Sequence, residues 1–150
     1  MRLTHLPARV PNSRLSEIPD GNGGVKQTLL LMRQLTRQGK RDIRLRTLAA
    51  SIVQHLPQKN WIGEIKAIQE YVKNNIRYLR DIREVETVQT PDKTLELGYG
   101  DCDDKSTLAA SLLESIGHPT RFVACGFSPD SLSHVYVETK LGGKWISVET

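Results

Sequence analysis

The sequence has few cysteines, few aromatic residues and no long hydrophobic run. Two cysteines in 150 residues are too few for a disulfide scaffold, and no Cys-x-x-Cys or His-x-x-x-His spacing predicts a metal centre. We therefore expect no cofactor. Aromatic residues form 5% of the chain, which disfavours a base-stacking nucleic-acid surface. No segment has the length of a membrane span, and the N-terminus lacks the apolar core of a secretory signal. We therefore expect a cytoplasmic location, where thiols stay reduced.

The composition is that of a single globular domain. Hydrophobic residues form 38% of the chain and charged residues 25%, and 150 residues are enough to bury a core. The net charge of +4 is mild, and much of the excess lies in the first half. Such a basic helical face is typical of a solvated surface, and it also suits an acidic partner. Its residues are Arg33, Arg37, Lys40, Arg41, Arg44 and Arg46.

The first half predicts an extended arm followed by helices. Residues 1–20 contain three prolines and little periodicity, which favours an arm outside the domain of residues 21–150. Apolar residues then recur at helical spacing in three segments, each followed by a stop signal. These segments cover about residues 25–38, 42–55 and 61–73.

The most informative stretch of the second half runs from Gly98 to Ser106. Two glycines lead to Asp101 and Cys102, and an apolar-periodic helix begins there. Asp101 is the predicted N-cap because its carboxylate can accept from free backbone N–H groups. Gly117 is the predicted end. The apolar positions are Leu108, Ala109, Leu112, Leu113 and Ile116.

Cys102 therefore occupies a position that suits a nucleophile. The positive end of a helix dipole favours thiolate over thiol, and free N–H groups there can stabilise an oxyanion. A lone cysteine more often fills space in a core. The charged neighbours Asp101, Asp103 and Asp104 count against burial, although their charge opposes the thiolate. We predict a moderately lowered pKa for Cys102.

After Gly117 the hydrophobic period changes from 3.6 to 2. This change predicts an α+β fold in which the Cys102 helix packs on an antiparallel sheet. In the middle strand His134 and Tyr136 fall on one face, and Val135 and Val137 on the other. Cys125 lies inside a strand, and we expect it to be buried. The predicted strands are residues 121–127, 133–139 and 145–149.

Three blocks occur in the order of a known family. Gly-Asp-Cys-Asp-Asp at Gly100–Asp104 is followed by His-Val-Tyr-Val-Glu at His134–Glu138 and by a strand running from Trp145 to Glu149. This set resembles the transglutaminase-like superfamily, whose members have a papain-like fold. The match covers about the last 75 residues, and short chains of this kind resemble bacterial and prophage proteins. The family usually has aspartate where this chain has Glu149.

The resemblance implies a catalytic triad of Cys102, His134 and Glu149. Cys102 would attack an amide carbonyl of a protein or peptide substrate, and His134 would move the proton. Transfer to water makes a peptidase or amidase, whereas transfer to an amine makes a transglutaminase. Asp104 is expected to anchor the helix start beside Asp101. Gln89, in a segment expected to be irregular from Arg83 to Tyr99, is a candidate oxyanion donor.

Other interpretations stay open from the sequence. A non-catalytic binding or structural domain could keep this fold without turnover, and the glutamate at position 149 favours that alternative. A nucleic-acid binder using the basic helices is the weaker alternative. Because the chain ends one residue after Glu149, we also expect the last strand to be cut short.

Overall fold

The structure is a computed structural model that describes residues 22–80, 88–126 and 132–150. The predicted arm, residues 1–20, lies outside the described residues. No helix in the described ranges is long and apolar enough to cross a membrane. The helices are α1 (Asn22–Gly39), α2 (Ile43–Val53), α3 (Trp61–Asn75), α4 (Pro91–Leu97) and α5 (Cys102–Ser115). The strands are β1 (Arg77–Tyr78), β2 (Tyr99–Gly100), β3 (Thr120–Gly126), β4 (Leu132–Leu141) and β5 (Lys144–Val148).

The three helices predicted in the first half are confirmed. α2 is capped by Asp42, whose carboxylate accepts from the Arg44 backbone N–H at 2.9 Å. α3 is capped by Asn60, whose side chain accepts from the Gly63 N–H at 3.1 Å. Both caps satisfy donors that a helix start leaves unpaired. α1 begins earlier than predicted, at Asn22, in a glycine-rich segment that we expected to be a loop.

α5 is the central element of the fold. Ten of its residues, Asp104–Leu113, are buried, because α1, α2, α3 and α4 pack around it and the sheet lies against it. Each fully buried leucine contributes about 1.5–3 kcal/mol relative to exposure. The buried core around α5 comprises Leu45, Leu48, Ala49, Ile65, Ile68, Val72, Ile76, Leu108, Ala109, Ala110, Leu112, Leu113, Val137 and Val148.

The larger sheet is antiparallel, with strand order β3-β4-β5. Val137 and Thr139 of β4 are fully buried, and they lie on the face that packs against α5. His134 and Tyr136 belong to the opposite face, because side chains alternate along a strand. Together with α5, this sheet confirms the predicted α+β architecture.

One predicted irregular segment contains a helix. α4 begins after Thr90, whose hydroxyl accepts from the Lys93 N–H at 3.4 Å, and Pro91 occupies the first turn. It ends at Gly98, which has a left-handed φ of 72°. The prediction failed because a seven-residue helix is too short to show a hydrophobic period. Residues 83–87 of the same segment lie outside the described ranges.

Two basic residues in α1 and at its C-terminal end form ion pairs with a largely buried carboxylate. Glu114 of α5 is largely buried and pairs with Arg33 at 2.7 Å and with Lys40 at 3.4 Å. The Glu114 carboxylate also accepts a hydrogen bond from the Thr120 hydroxyl of β3, at 2.6 Å. The network ties α1 and β3 to α5, because a buried carboxylate must be paired. Arg33 and Lys40 are therefore engaged within the fold.

Candidate active site

Cys102 is the first residue of α5 and is partly buried. The N-cap predicted at Asp101 is confirmed, since its carboxylate accepts from the Asp104 N–H at 3.1 Å. Asp104 returns the bond by accepting from the Asp101 N–H, also at 3.1 Å. This reciprocal capping box fixes the backbone on both sides of the thiol.

Asp104 also anchors the chain that approaches α5 from α4. Its buried carboxylate accepts from the Gln89 backbone N–H at 2.7 Å. Burial, and after it the charge of Asp101, raises the pKa of Asp104 to about 8, although the two backbone hydrogen bonds oppose the shift. Gly100 is needed beside it, because a Cβ there would lie 2.6 Å from the Asp104 Cβ. The helix that begins with Cys102 therefore starts from a closely packed loop.

The first turn of α5 rests on the backbone of Val135 in β4. The Ser106 hydroxyl donates to the Val135 carbonyl at 3.2 Å, and the Val135 backbone N–H is a hydrogen-bond partner of the Cys102 sulfur. Cys102 and Ser106 are four residues apart, so they share one helix face. These contacts place the thiol against the residue that follows His134.

The structure contradicts the predicted thiolate. Burial, and after it the charge of Asp103, raises the pKa of the Cys102 thiol to about 12. The hydrogen bond from Val135 lowers it, but not enough to compensate. The thiol itself contacts the Asp103 carboxylate at 3.7 Å. The resting cysteine is therefore protonated at neutral pH, because desolvation of the charged form outweighs the helix dipole.

His134 and Glu149 lie together at the open end of the sheet. The His134 Nε2 is 3.2 Å from the Glu149 Oε2 and 3.4 Å from its Oε1. The side chains are 45% and 54% exposed. The pair is diagonal across the strands, since Val137 is opposite Val148 in the ladder and Glu149 follows one residue later. Diagonal neighbours are within reach of long side chains.

Two further contacts hold this pair in place. The Tyr136 ring stacks on the His134 ring, with centroids 5.8 Å apart. The Gln69 side chain of α3 donates to the Glu149 carbonyl at 2.8 Å. Because Nε2 faces the carboxylate, Nδ1 is the imidazole nitrogen left for a thiol. Within the described ranges, the hydrogen-bond partners of the Cys102 side chain are Asp103 and the Val135 backbone, not His134.

Gln89 is held close to the helix start, but in another role. Its side-chain oxygen accepts from the Thr94 hydroxyl at 3.1 Å, and its backbone N–H is bound by Asp104. No contact with Cys102 is found among the described residues. Its role as an oxyanion donor stays a prediction.

Cys125 is exposed, not buried as expected. It lies opposite His134 in the β3–β4 ladder, on the sheet face that α5 does not cover. The prediction failed because β3 is the edge strand of a sheet packed on one face only, so every second side chain reaches solvent. Among the described residues, no group of three His, Cys, Asp or Glu side chains could hold a metal ion.

Tyr78 is a site residue that the sequence did not reveal. β1 pairs in parallel with β2 and sets Tyr78 opposite Gly100, two residues before Cys102. Burial raises the pKa of the phenol, and its proximity to Cys102 and Asp101 raises it as well. The two segments are about twenty residues apart in the chain, and no local pattern predicts that they pair.

Comparison with known proteins agrees with this architecture. The family model of the transglutaminase-like superfamily matches residues 46–150, more than two thirds of the chain. Among curated proteins, no sequence matches.

Two solved structures share the fold. One is described as a "putative protease" from Parabacteroides distasonis, with a TM-score of 0.66 and 16% identity over 92% of this chain. The other is described as a "putative cysteine protease" from Cytophaga hutchinsonii, with a TM-score of 0.55 and 23% identity over 71% of this chain. This chain spans only 31% and 36% of those proteins.

Proposed function

Because the chain belongs to the transglutaminase-like superfamily, we propose that it catalyses thiol-dependent acyl transfer from an amide or peptide substrate. Cys102 is the nucleophile, His134 the general base and acid, and Glu149 the group that orients the imidazole. The observation that carries this proposal is the contact of the Cys102 sulfur with the Val135 backbone. It supports the proposal because the thiol contacts the residue that follows His134 in β4.

The protonation of the resting thiol determines when the proton is transferred in the first step. With a pKa of about 12, Cys102 has to lose its proton as it attacks, so His134 acts as a general base in the transition state. The sulfur–carbon bond forms, the carbonyl π electrons move to oxygen, and the thiol proton passes to Nδ1. Glu149 stabilises the resulting imidazolium through Nε2.

The second half of the reaction releases the amine. The oxyanion collapses, the carbon–nitrogen bond breaks, and His134 returns its proton to the departing amine, leaving a thioester on Cys102. Water or a second amine then attacks the thioester while His134 takes its proton. The carbon–sulfur bond breaks, and His134 returns the proton to the Cys102 sulfur as the acid or the new amide leaves. The helix start offers the Cys102 backbone N–H to the oxyanion, because the first N–H groups of a helix have no intrahelical partner.

A matched pair of cysteine variants tests this proposal. The probe is p-nitrophenyl acetate, whose release of p-nitrophenolate reports acylation. We expect activity in the wild type and in Cys125→Ser, and a loss to the background rate in Cys102→Ser. Incorporation of monodansylcadaverine into dimethylcasein then separates transamidation from hydrolysis. Equal rates in wild type and Cys102→Ser would exclude thiol catalysis.

A non-catalytic domain with this fold is the second candidate. Two observations favour it: the raised pKa of Cys102 and the contact of its thiol with Asp103 in place of His134. Fold membership alone does not establish turnover. Absence of turnover, together with Cys102 alkylation no faster than that of Cys125, would support this alternative.

A further inference from the structure

The small parallel sheet fixes β1 against the approach to the nucleophile. The Arg77 N–H donates to the Gly98 carbonyl at 2.9 Å, and the Leu79 N–H donates to the Gly100 carbonyl at the same distance. Tyr78 lies between these two bonds and opposite Gly100. Gly100 itself is packed on Asp104, so the position of Tyr78 relative to the start of α5 is well defined.

The Tyr78 side chain lies on the sheet face where a Cβ at Gly100 would meet Asp104, and it is available to a ligand. It is 56% exposed. The pKa of the phenol is raised first by burial and then by its neighbours Cys102 and Asp101. The raised pKa keeps the phenol protonated, which makes its O–H a donor. The hydroxyl has no hydrogen-bond partner among the described residues.

We propose that the Tyr78 hydroxyl donates a hydrogen bond to the oxyanion that forms when Cys102 attacks a carbonyl. This inference rests on the proposed function. The tetrahedral intermediate needs a second donor beside the Cys102 N–H, because two donors are usual for an oxyanion of this kind. Tyr78 keeps its proton throughout, so the step adds a hydrogen bond and changes no other bond.

Tyr78 suits this role better than Gln89 does. Gln89 is held by Thr94 and Asp104. Its side-chain N–H₂ group, the donor it could offer, has no hydrogen bond to Cys102 among the described residues. Tyr78, in contrast, presents a donor at the mouth of the site. Carbonyl oxygen accepts hydrogen bonds in the ground state as well, but the added negative charge strengthens the bond in the transition state.

Tyr99 provides a matched control. It is the residue before Gly100 in β2 and is 37% exposed. Successive side chains of a strand point to opposite faces. Since Tyr78 is opposite Gly100 and Arg77 is opposite Tyr99, the two tyrosines lie on opposite faces of the two-stranded sheet. Tyr99→Phe removes the same hydroxyl from the same sheet on the other face.

The test compares two reactions of the same thiol. Hydrolysis of p-nitrophenyl acetate passes through an oxyanion, whereas alkylation by iodoacetamide displaces iodide without one. For Tyr78→Phe we expect kcat for the ester to fall by about 10²–10³, with KM unchanged. The alkylation rate of Cys102 should stay within about twofold of wild type. Tyr99→Phe should change neither rate.

Each other outcome overturns the inference. An unchanged esterase rate in Tyr78→Phe would mean that the hydroxyl does not stabilise the oxyanion. An equal fall in esterase and alkylation rates would assign Tyr78 a structural role. If the wild type shows no Cys102-dependent esterase activity, the proposed function fails first, and the role of Tyr78 falls with it.

Discussion

The two ends of the candidate site are built differently. The nucleophile end is closely packed, since Cys102 begins the most buried helix and its flanking residues are tied by the Asp101–Asp104 capping box. The base end is open, with His134 and Glu149 both about half exposed and joined by a 3.2 Å contact between the imidazole and the carboxylate. The fold therefore positions the thiol firmly and leaves the imidazole accessible.

The difference in burial between Cys102 and His134 indicates how the site would be activated. Packing raises the pKa of Cys102, so the same burial that positions the sulfur also keeps it unreactive at neutral pH. An accessible His134 can approach the thiol as substrate displaces water, because catalytic hydrogen bonds tighten in the substrate complex. In this scheme the nucleophile end supplies geometry, and the base end supplies reactivity.

The largest effect should come from removing the base. His134→Ala should lower kcat/KM for p-nitrophenyl acetate by about 10²–10⁴, which is the usual contribution of general acid–base catalysis. Glu149→Gln should lower it by about tenfold or less, because an exposed ion pair is screened by solvent. Steady-state kinetics of both variants measure the two effects.

Glu138→Gln is the control for this pair. Glu138 lies on the same face of β4, where it pairs with Arg121 at 3.0 Å. We expect its kinetics to match wild type. If Glu149→Gln lost as much activity as His134→Ala, the carboxylate would be as important as the imidazole, and the comparison between a packed end and an open end would have to be abandoned.

Most of the fold could be predicted from local patterns. The helices of the first half and the strand pattern after Gly117 follow from hydrophobic periodicity. The Asp101 cap follows from residue type. What failed depends on packing between distant segments. The pKa of Cys102 is set by how deeply β4 buries it, and the exposure of Cys125 by its place in an edge strand.

The candidate site was predicted in its parts but not in its assembly. The structure brings His134 and Glu149 together, as the resemblance implied. It does not join Cys102 to His134 by a hydrogen bond. The position of Tyr78 near Cys102 was not predicted, because it results from a parallel pairing of two-residue strands, which has no sequence signature.

Gly100→Ala should disturb the packed end by overfilling it. The new Cβ would meet the Asp104 Cβ at 2.6 Å and its Oδ2 at 3.0 Å. Overpacking costs about 1–3 kcal/mol of unfolding free energy, and chemical denaturation measures this loss. Because Asp104 would shift, we also expect the alkylation rate of Cys102 to change.

Gly142→Ala separates local damage from general destabilisation. Gly142 has a left-handed φ of 58° with nothing near its would-be Cβ, so alanine there strains the β4–β5 turn without a clash. We expect lower stability and an unchanged Cys102 alkylation rate. If Gly100→Ala left the stability unchanged, the loop before Cys102 would accommodate an added methyl group and would not be closely packed.

The smallest effect concerns the charge beside the thiol. Asp103 is the strongest charged group that raises the pKa of Cys102, so Asp103→Asn should lower that pKa below about 12. Because its pKa is raised, the Cys102 thiol keeps its proton in the folded protein until the pH approaches that pKa. At a given pH between about 8 and 11 the variant therefore has more thiolate than wild type. Its alkylation by iodoacetamide should be faster by about threefold for each unit of pKa, because a weaker base is also a weaker nucleophile.

The rate profile against pH distinguishes this effect from a loosened structure. The wild-type alkylation rate should rise with pH through the whole range up to about 12, and the Asp103→Asn profile should keep its shape but move to lower pH. Glu70→Gln, an exposed charge change on α3, should leave the profile in place. A wild-type profile that levels off near the ordinary thiol value of about 8.5 would contradict the burial of Cys102. The packed end would then be as open as the end that carries His134.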